Sequence, residues 1–231
     1  MAEELLEALE VETAPSPGAA VIWLHGLGAD GHDFVDIPPL LRLPESLAVR
    51  FVFPHAPMRP VTINNGMVMR AWYDVRHDAG ARREDEPGVR ASQRHVEALI
   101  AREAWRGVPA SRLILAGFSQ GGAMALHTGV RHGERLAGIM ALSCFLPLAG
   151  RVGTEASAAN RDVPIFLAHG TQDPVIPLAW ARHAHETLTR LRYPVAWHEY
   201  PMPHSVCDAE IRDIGAWLTQ RLARPLGQSL T

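Results

Sequence analysis

Two rhythms of apolar and polar residues alternate along the 231-residue chain. Short, nearly continuous apolar runs lie at residues 20–24, 51–53, 113–116, 138–142, 165–168 and 195–200. A strand covered on both faces has no polar side to present, so runs of this kind predict the strands of a parallel sheet. Longer stretches between them carry apolar residues at helical spacing. These are Val96, Leu99 and Ile100 in residues 92–105, Ala181, Ala184, Leu188 and Leu191 in residues 178–192, and Ile211, Ile214, Leu218 and Leu222 near the C-terminus. In the second of these, Arg182, Glu186 and Arg190 recur at i+4 on another face, which predicts a solvated side. Ser205-Val206-Cys207-Asp208 predicts a capping box at the start of the last helix. The weaker run at residues 9–13 is apolar only at alternate positions, and this places it at an edge of the sheet. Strands alternating with helices predict an α/β fold with a mostly parallel central sheet and helices on both faces. Nothing repeats at a fixed period and no low-complexity linker divides the chain, so a single domain over residues 1–231 is expected.

Two segments break the alternation. Residues 57–74 are rich in apolar side chains, yet Pro57, Pro60 and Asn64-Asn65-Gly66 interrupt them too often for a core helix. A loop or short hairpin is expected there. Residues 76–90 hold four Arg and four acids, the pattern of a surface loop, and the tail from Ala223 onward is expected to fray.

Composition narrows the chemistry. All 22 Lys+Arg residues are Arg, which excludes P-loop phosphate transfer, Schiff-base chemistry and Ser-Lys dyads. The net charge of −3 and the lack of a basic run give no footprint for nucleic acid or anionic lipid; a small neutral or modestly charged substrate fits better. Cys144 and Cys207 match no disulfide framework, zinc or redox motif and read as idle thiols. Met1-Ala2-Glu3-Glu4 is acidic where a secretory signal would be basic, and no apolar run approaches the roughly 18 residues of a membrane span. A cytoplasmic protein without stable membrane insertion is expected, and the sequence is compatible with a homodimer.

Gly117-Phe118-Ser119-Gln120-Gly121 follows the strand at 113–116 and precedes the helix-compatible Ala123-Met124-Ala125-Leu126. This is G-x-S-x-G between strand and helix, where a strained turn presents the serine hydroxyl above the sheet at a helix N-terminus. A serine hydroxyl is a weak nucleophile and needs a base, and the base needs an acid to orient it, in the chain order Ser, Asp or Glu, His. Asp173 lies in a loop after the strand at 165–168, closed by Pro174 and Pro177; Asp162, its nearest competitor, precedes that strand and belongs at the opposite end. Of the 12 His, His204 occupies the loop between the last strand and the last helix. His198 lies within a strand, and His183 and His185 are i, i+2 on a helix and cannot chelate a metal together. His25-Gly26-Leu27-Gly28 follows the strand at 20–24, and its glycines let the Leu27 N–H turn inward as an oxyanion donor beside the Gln120 N–H. No H-E-x-x-H or comparable cluster is present, so no metal or other cofactor is expected. The apolar side chains of residues 57–74 either tuck against the sheet or line an acyl groove beside Ser119, with Met69 and Trp72 the candidates for the groove.

The chain resembles the small carboxylesterase and acyl-protein thioesterase (phospholipase/carboxylesterase) family of the α/β-hydrolase superfamily. The resemblance runs from about residue 20 to Leu222, on His25-Gly26-Leu27-Gly28-Ala29-Asp30-Gly31, Pro57-Met58-Arg59-Pro60-Val61-Thr62, Arg70-Ala71-Trp72-Tyr73-Asp74, Gly117-Phe118-Ser119-Gln120-Gly121-Gly122, His169-Gly170-Thr171-Gln172-Asp173 and Met202-Pro203-His204. It implies an α/β-hydrolase fold without a large cap domain, a triad of Ser119, Asp173 and His204, and oxyanion donors at Leu27 and Gln120. It also implies hydrolysis of an ester or acyl-thioester through an acyl-enzyme. Pro203 stands where the family usually has Gly, so its fixed φ is expected to alter how His204 enters the site. A non-catalytic ligand-binding hydrolase fold is the more distant alternative, and the presence of all three triad members weighs against it.

Overall fold

A computed structural model describes residues 5–78 and 81–223. In chain order its elements are β1 (Ala8–Glu12), β2 (Ala19–Leu24), β3 (Val49–Pro54), β4 (Met58–Val61), β5 (Met67–Arg70), β6 (Arg76–Asp78), β7 (Ala81–Arg83), α1 (Glu86–Trp105), β8 (Leu113–Phe118), α2 (Gln120–Gly129), β9 (Gly138–Leu142), α3 (Val152–Glu155), β10 (Ile165–Gly170), α4 (Leu178–Arg190), β11 (Val195–Tyr200) and α5 (Asp208–Leu222), with short 3-10 turns between several of them. Seven strands make one sheet in the order β1-β3-β2-β8-β9-β10-β11. The weakly alternating run at the N-terminus becomes β1, antiparallel to β3 at the edge, and the other six strands run parallel.

The continuous apolar runs become strands because each feeds two cores. Ala20, Ile22 and Leu24 of β2, with Leu113 and Leu115 of β8, pack against α1, α2 and α4 on one face. Ala19, Val21 and Trp23 of β2, with Ile114 and Ala116 of β8, pack against α5 and the turn around Leu41 on the other. Side chains alternate across a strand, so both sets must be apolar when both faces are covered. Helix α2 goes further, since all ten of its residues are buried.

Two expectations are corrected, and a third lies outside the described residues. Residues 76–90 are not a plain surface loop: they supply the β6–β7 hairpin and the first turn of α1, which starts at Glu86 rather than Ser92. The Asp85 carboxylate accepts from the Gly88 N–H to cap that helix, and Pro87 sits in the first turn, where it costs no hydrogen bond. Ser205 to Asp208 form no capping box, because the N-cap of α5 is Cys207 and makes no side-chain bond. The Ser205 N–H is instead turned to the Pro203 carbonyl at 2.9 Å, in the tight turn that carries His204. The tail beyond Ala223 lies outside the described residues.

Residues 57–74 form the predicted short hairpin, β4 against β5. Asp74 ties its base: its carboxylate accepts from the Thr62 N–H and hydroxyl, each at 2.7 Å, and from Arg76 at 2.7 Å. Among the described residues no helix is long and apolar enough to cross a membrane.

Candidate active site

The turn from β8 into α2 is as tight as its sequence requires. Ser119 has φ 54° and ψ −119°, a strained setting for a residue with a side chain, held by its N–H donating to Leu142 at 2.8 Å. A Cβ on Gly117 would lie 2.3 Å from the Gly121 backbone, and one on Gly121 would lie 2.1 Å from the Leu24 carbonyl oxygen. Only hydrogen fits at either position.

Three loops at the carboxyl ends of the strands bring the predicted chemistry together. His204 Nε2 lies 2.9 Å from Ser119 Oγ, and its Nδ1 lies 2.7 Å from Asp173 Oδ2. The arrangement suits an imidazole that donates from Nδ1 to the carboxylate and offers the Nε2 lone pair to the serine O–H. The Asp173 side chain is fully buried, and its other oxygen accepts from the Val175 and Ile176 N–H groups at 2.8 and 2.9 Å. His169 braces the same loop, donating from Nε2 to the Ile176 carbonyl at 2.9 Å, and burial holds its pKa below the ordinary imidazole value. The His204 ring also packs on Phe118, with centroids 4.7 Å apart. Pro203 does not keep His204 from reaching both partners.

Leu27 and Gln120 face the same cleft as Ser119. Gln120 opens α2, so its N–H has no intrahelical acceptor and carries the positive end of the helix dipole. In the facing loop the Gly28 and Ala29 N–H groups are taken by the Arg70 and Gly26 carbonyls. The Gln120 side chain points away to a different pair of partners, where Oε1 accepts from the Trp72 N–H at 2.8 Å and Nε2 donates to the Tyr73 carbonyl at 2.7 Å. The Trp72 indole donates to the His25 carbonyl at 2.9 Å. His25 donates from Nδ1 to Gly26 and accepts at Nε2 from the Ala56 N–H, and burial holds its pKa down to about 4, so the ring is neutral at neutral pH.

This network corrects the groove assignment. Trp72 is fully buried and joins the His25 loop to Gln120, and Met69 lies against Gly28 with its sulfur accepting from Asn64 at 3.3 Å. Neither lines the cleft. The segment contributes Ile63, Asn64 and Tyr73, while Val75, Phe145, Val175, Ile176 and Trp180 complete a mostly apolar cleft of 260 Å³ beside Ser119. These last five were missed from sequence. Val175 and Ile176 carried a signal, because apolar residues between two prolines beside Asp173 have no helix or strand to bury them. A larger hollow of 470 Å³ lies among Gly18, Ala48 and Arg112, at the amino ends of the strands, where this class of sheet does not place its ligands.

The remaining candidates sit elsewhere. Asp162 is paired with Arg135, His198 stacks on Phe166 and His185 on Trp197. Both cysteines are free, and burial pushes the Cys144 thiol pKa up. Among the described residues Asp30, His32 and His55 have ligand atoms within 4.8 Å of one another, the one group close enough to hold a metal. One atom of each is already engaged: His32 Nδ1 meets Asp30 Oδ1 at 3.0 Å and His55 Nδ1 accepts from the Gly31 N–H at 3.1 Å.

Residues 7–222 match the phospholipase/carboxylesterase family. An acyl-protein thioesterase 1 from Neurospora crassa is 39% identical over 91% of this chain and 90% of its own length. The protein of the same name from Cryptococcus neoformans is 35% identical over 94% and 98%. Among solved structures, Zea mays acyl-protein thioesterase 2 superposes with a TM-score of 0.83 at 28% identity, covering 94% of this chain and 99% of that one. Arabidopsis thaliana SOBER1 gives 0.82 at 30%, covering 88% and 99%. With this fold, these motifs and these relatives, the chain belongs to the phospholipase/carboxylesterase family of α/β-hydrolases and is a hydrolase.

Proposed function

We propose that the protein is a metal-independent serine hydrolase that cleaves small carboxylic esters through an acyl-enzyme. The hydrogen-bonded line Asp173–His204–Ser119 at the wall of an apolar cleft carries this reading. Ser119 Oγ attacks the acyl carbonyl while its proton passes to His204 Nε2, and Asp173 stabilises the imidazolium. The carbonyl oxygen takes up negative charge against the Leu27 and Gln120 N–H groups. Collapse of the intermediate breaks the bond to the leaving oxygen, which takes the proton from His204. Water then repeats the sequence, with His204 as base, and releases the acid and free Ser119.

A thioester substrate is the second reading, favoured by the two acyl-protein thioesterases among the relatives. The steps are the same, and a thiolate leaves more readily than an alkoxide. Rates on an oxygen ester and a thioester of the same acyl group separate the two readings.

A fluorophosphonate probe followed by peptide mapping should label Ser119 and no other serine. Ser119→Ala and His204→Ala should each lower kcat on the order of 10⁶-fold, and Asp173→Asn on the order of 10⁴-fold. Combining them should cost little more than the worst single change. Substantial turnover by Ser119→Ala would end the proposal.

A further inference from the structure

We propose that the Phe145–Trp180 ring pair is a partition that confines the acyl group to short and medium chains, with Trp180 setting the limit. The inference rests on the reading of Ser119 as the nucleophile.

The cleft beside Ser119 holds 260 Å³, a little below the range of about 300–1,000 Å³ usual for sites that enclose a drug-sized ligand. It does not end in solid core. A second cavity, of 380 Å³, has Phe145, Leu146 and Trp180 in its walls together with Glu84 and His183. Phe145 and Trp180 belong to both cavities and stand edge to face, with centroids 6.1 Å apart and planes at 85°. The two members differ in how firmly they are held. Phe145 is 8% exposed in the segment after β9, whereas Trp180 is 37% exposed in the first turn of α4. Glu84, beyond the pair, accepts from the Leu148 N–H at 2.8 Å and brings a carboxylate to the far cavity.

An acyl chain entering from Ser119 therefore meets apolar walls as far as the ring pair. Each methylene buried before it should raise kcat/KM about fourfold, the equivalent of about 0.8 kcal/mol. Methylenes beyond it must stay in water or displace the indole, so the gain stops there. Removing the indole joins the two cavities through the apolar side chains of Phe145 and Leu146.

The test is kcat/KM on acetyl, butyryl, octanoyl and palmitoyl esters, kept below their micellar concentrations, for the wild type, Ser119→Ala and Trp180→Ala. The palmitoyl-to-octanoyl ratio within one preparation is the readout, because it does not depend on the fraction of active enzyme. The wild type should prefer octanoyl, and Trp180→Ala should raise the ratio about tenfold or more, a gain that two or more newly buried methylenes supply. A wild type that prefers palmitoyl overturns the partition. So does an unchanged ratio in Trp180→Ala when Ser119→Ala is inactive. Turnover by Ser119→Ala instead removes the catalytic reading on which the partition rests.

Discussion

Gln120 acts through two separate groups. Its backbone N–H opens α2 beside Ser119, and its side-chain amide accepts from the Trp72 N–H and donates to the Tyr73 carbonyl. Gln120→Met keeps the first and deletes the second at similar volume. Complete loss of one oxyanion donor costs about 10²–10³ in kcat, so a donor present but loosely aimed should cost about tenfold. KM should hardly change, because the ground-state carbonyl depends less on that alignment. Trp72→Phe, which removes only the indole bond to His25, should act in the same direction. Steady-state kinetics check both, with thermal melts to score any loss of fold; a rise in KM at constant kcat would assign these groups to substrate binding instead. Trp72 also marks where reading residues from sequence stops working. Ser119, Asp173 and His204 were legible because each stands at a fixed place relative to a strand end. An apolar aromatic in an interrupted segment fits a groove wall and a buried brace equally well, and only its hydrogen bonds decide between them.

At the scale of elements, the β4–β5 hairpin is held at its base and not by a core of its own. Met58, Met67 and Val68 are more than half exposed, while Asp74 gathers Thr62 and Arg76. Burial alone would raise the Asp74 pKa, but those bonds hold it below the ordinary carboxylate value. Asp74→Ala should therefore speed hydrogen exchange at the Thr62 and Ile63 amides while leaving β8 and β9 protected. The hairpin also supplies the Arg70 carbonyl that holds Gly28, so activity should fall in step. Equal exchange in both proteins would show that the turn needs no such tie. Strands and helices with one dominant periodicity were readable in advance. Element ends were less so, since local patterns compete with tertiary demands. The charged run at 76–90 concealed a helix start capped by Asp85, and Ser205, an attractive cap by its spacing, is committed to the turn that presents His204.

Across the whole molecule, two carboxyls of opposite setting shape the dependence of stability on pH. Glu210 is fully buried on α5 and neither oxygen has a side-chain partner. Burial, reinforced by Asp213 and only partly offset by the Cys207 backbone, pushes its pKa up to about 8. The folded chain keeps a proton that the unfolded chain releases near the ordinary carboxylate value of 4.5, so stability is lost as pH rises from there to about 8. Glu155 has the reverse sense: burial alone would raise it, yet Arg131 and Arg90 hold it down to about 2, and its contribution is lost as pH falls toward that value. Glu210→Gln should flatten the alkaline decline, stabilising the protein by on the order of a few kcal/mol at about pH 9 relative to about pH 5. Urea unfolding at the two pH values measures this, and parallel losses in both proteins would exonerate Glu210.

The overall α/β order was legible because a covered parallel sheet imposes it on every strand; the coupling between distant loops was not, because it is written in backbone bonds. One such feature governs how the molecule can respond to what it binds. Helix α2 has no solvent-facing side, and Ser119 is fastened directly to its first turn. Ser119 is thus the least adaptable point of the site. When substrates differ in shape, the surrounding loops must do all the yielding, and directed changes of selectivity should be sought in those walls, with the anvil beneath the serine left untouched.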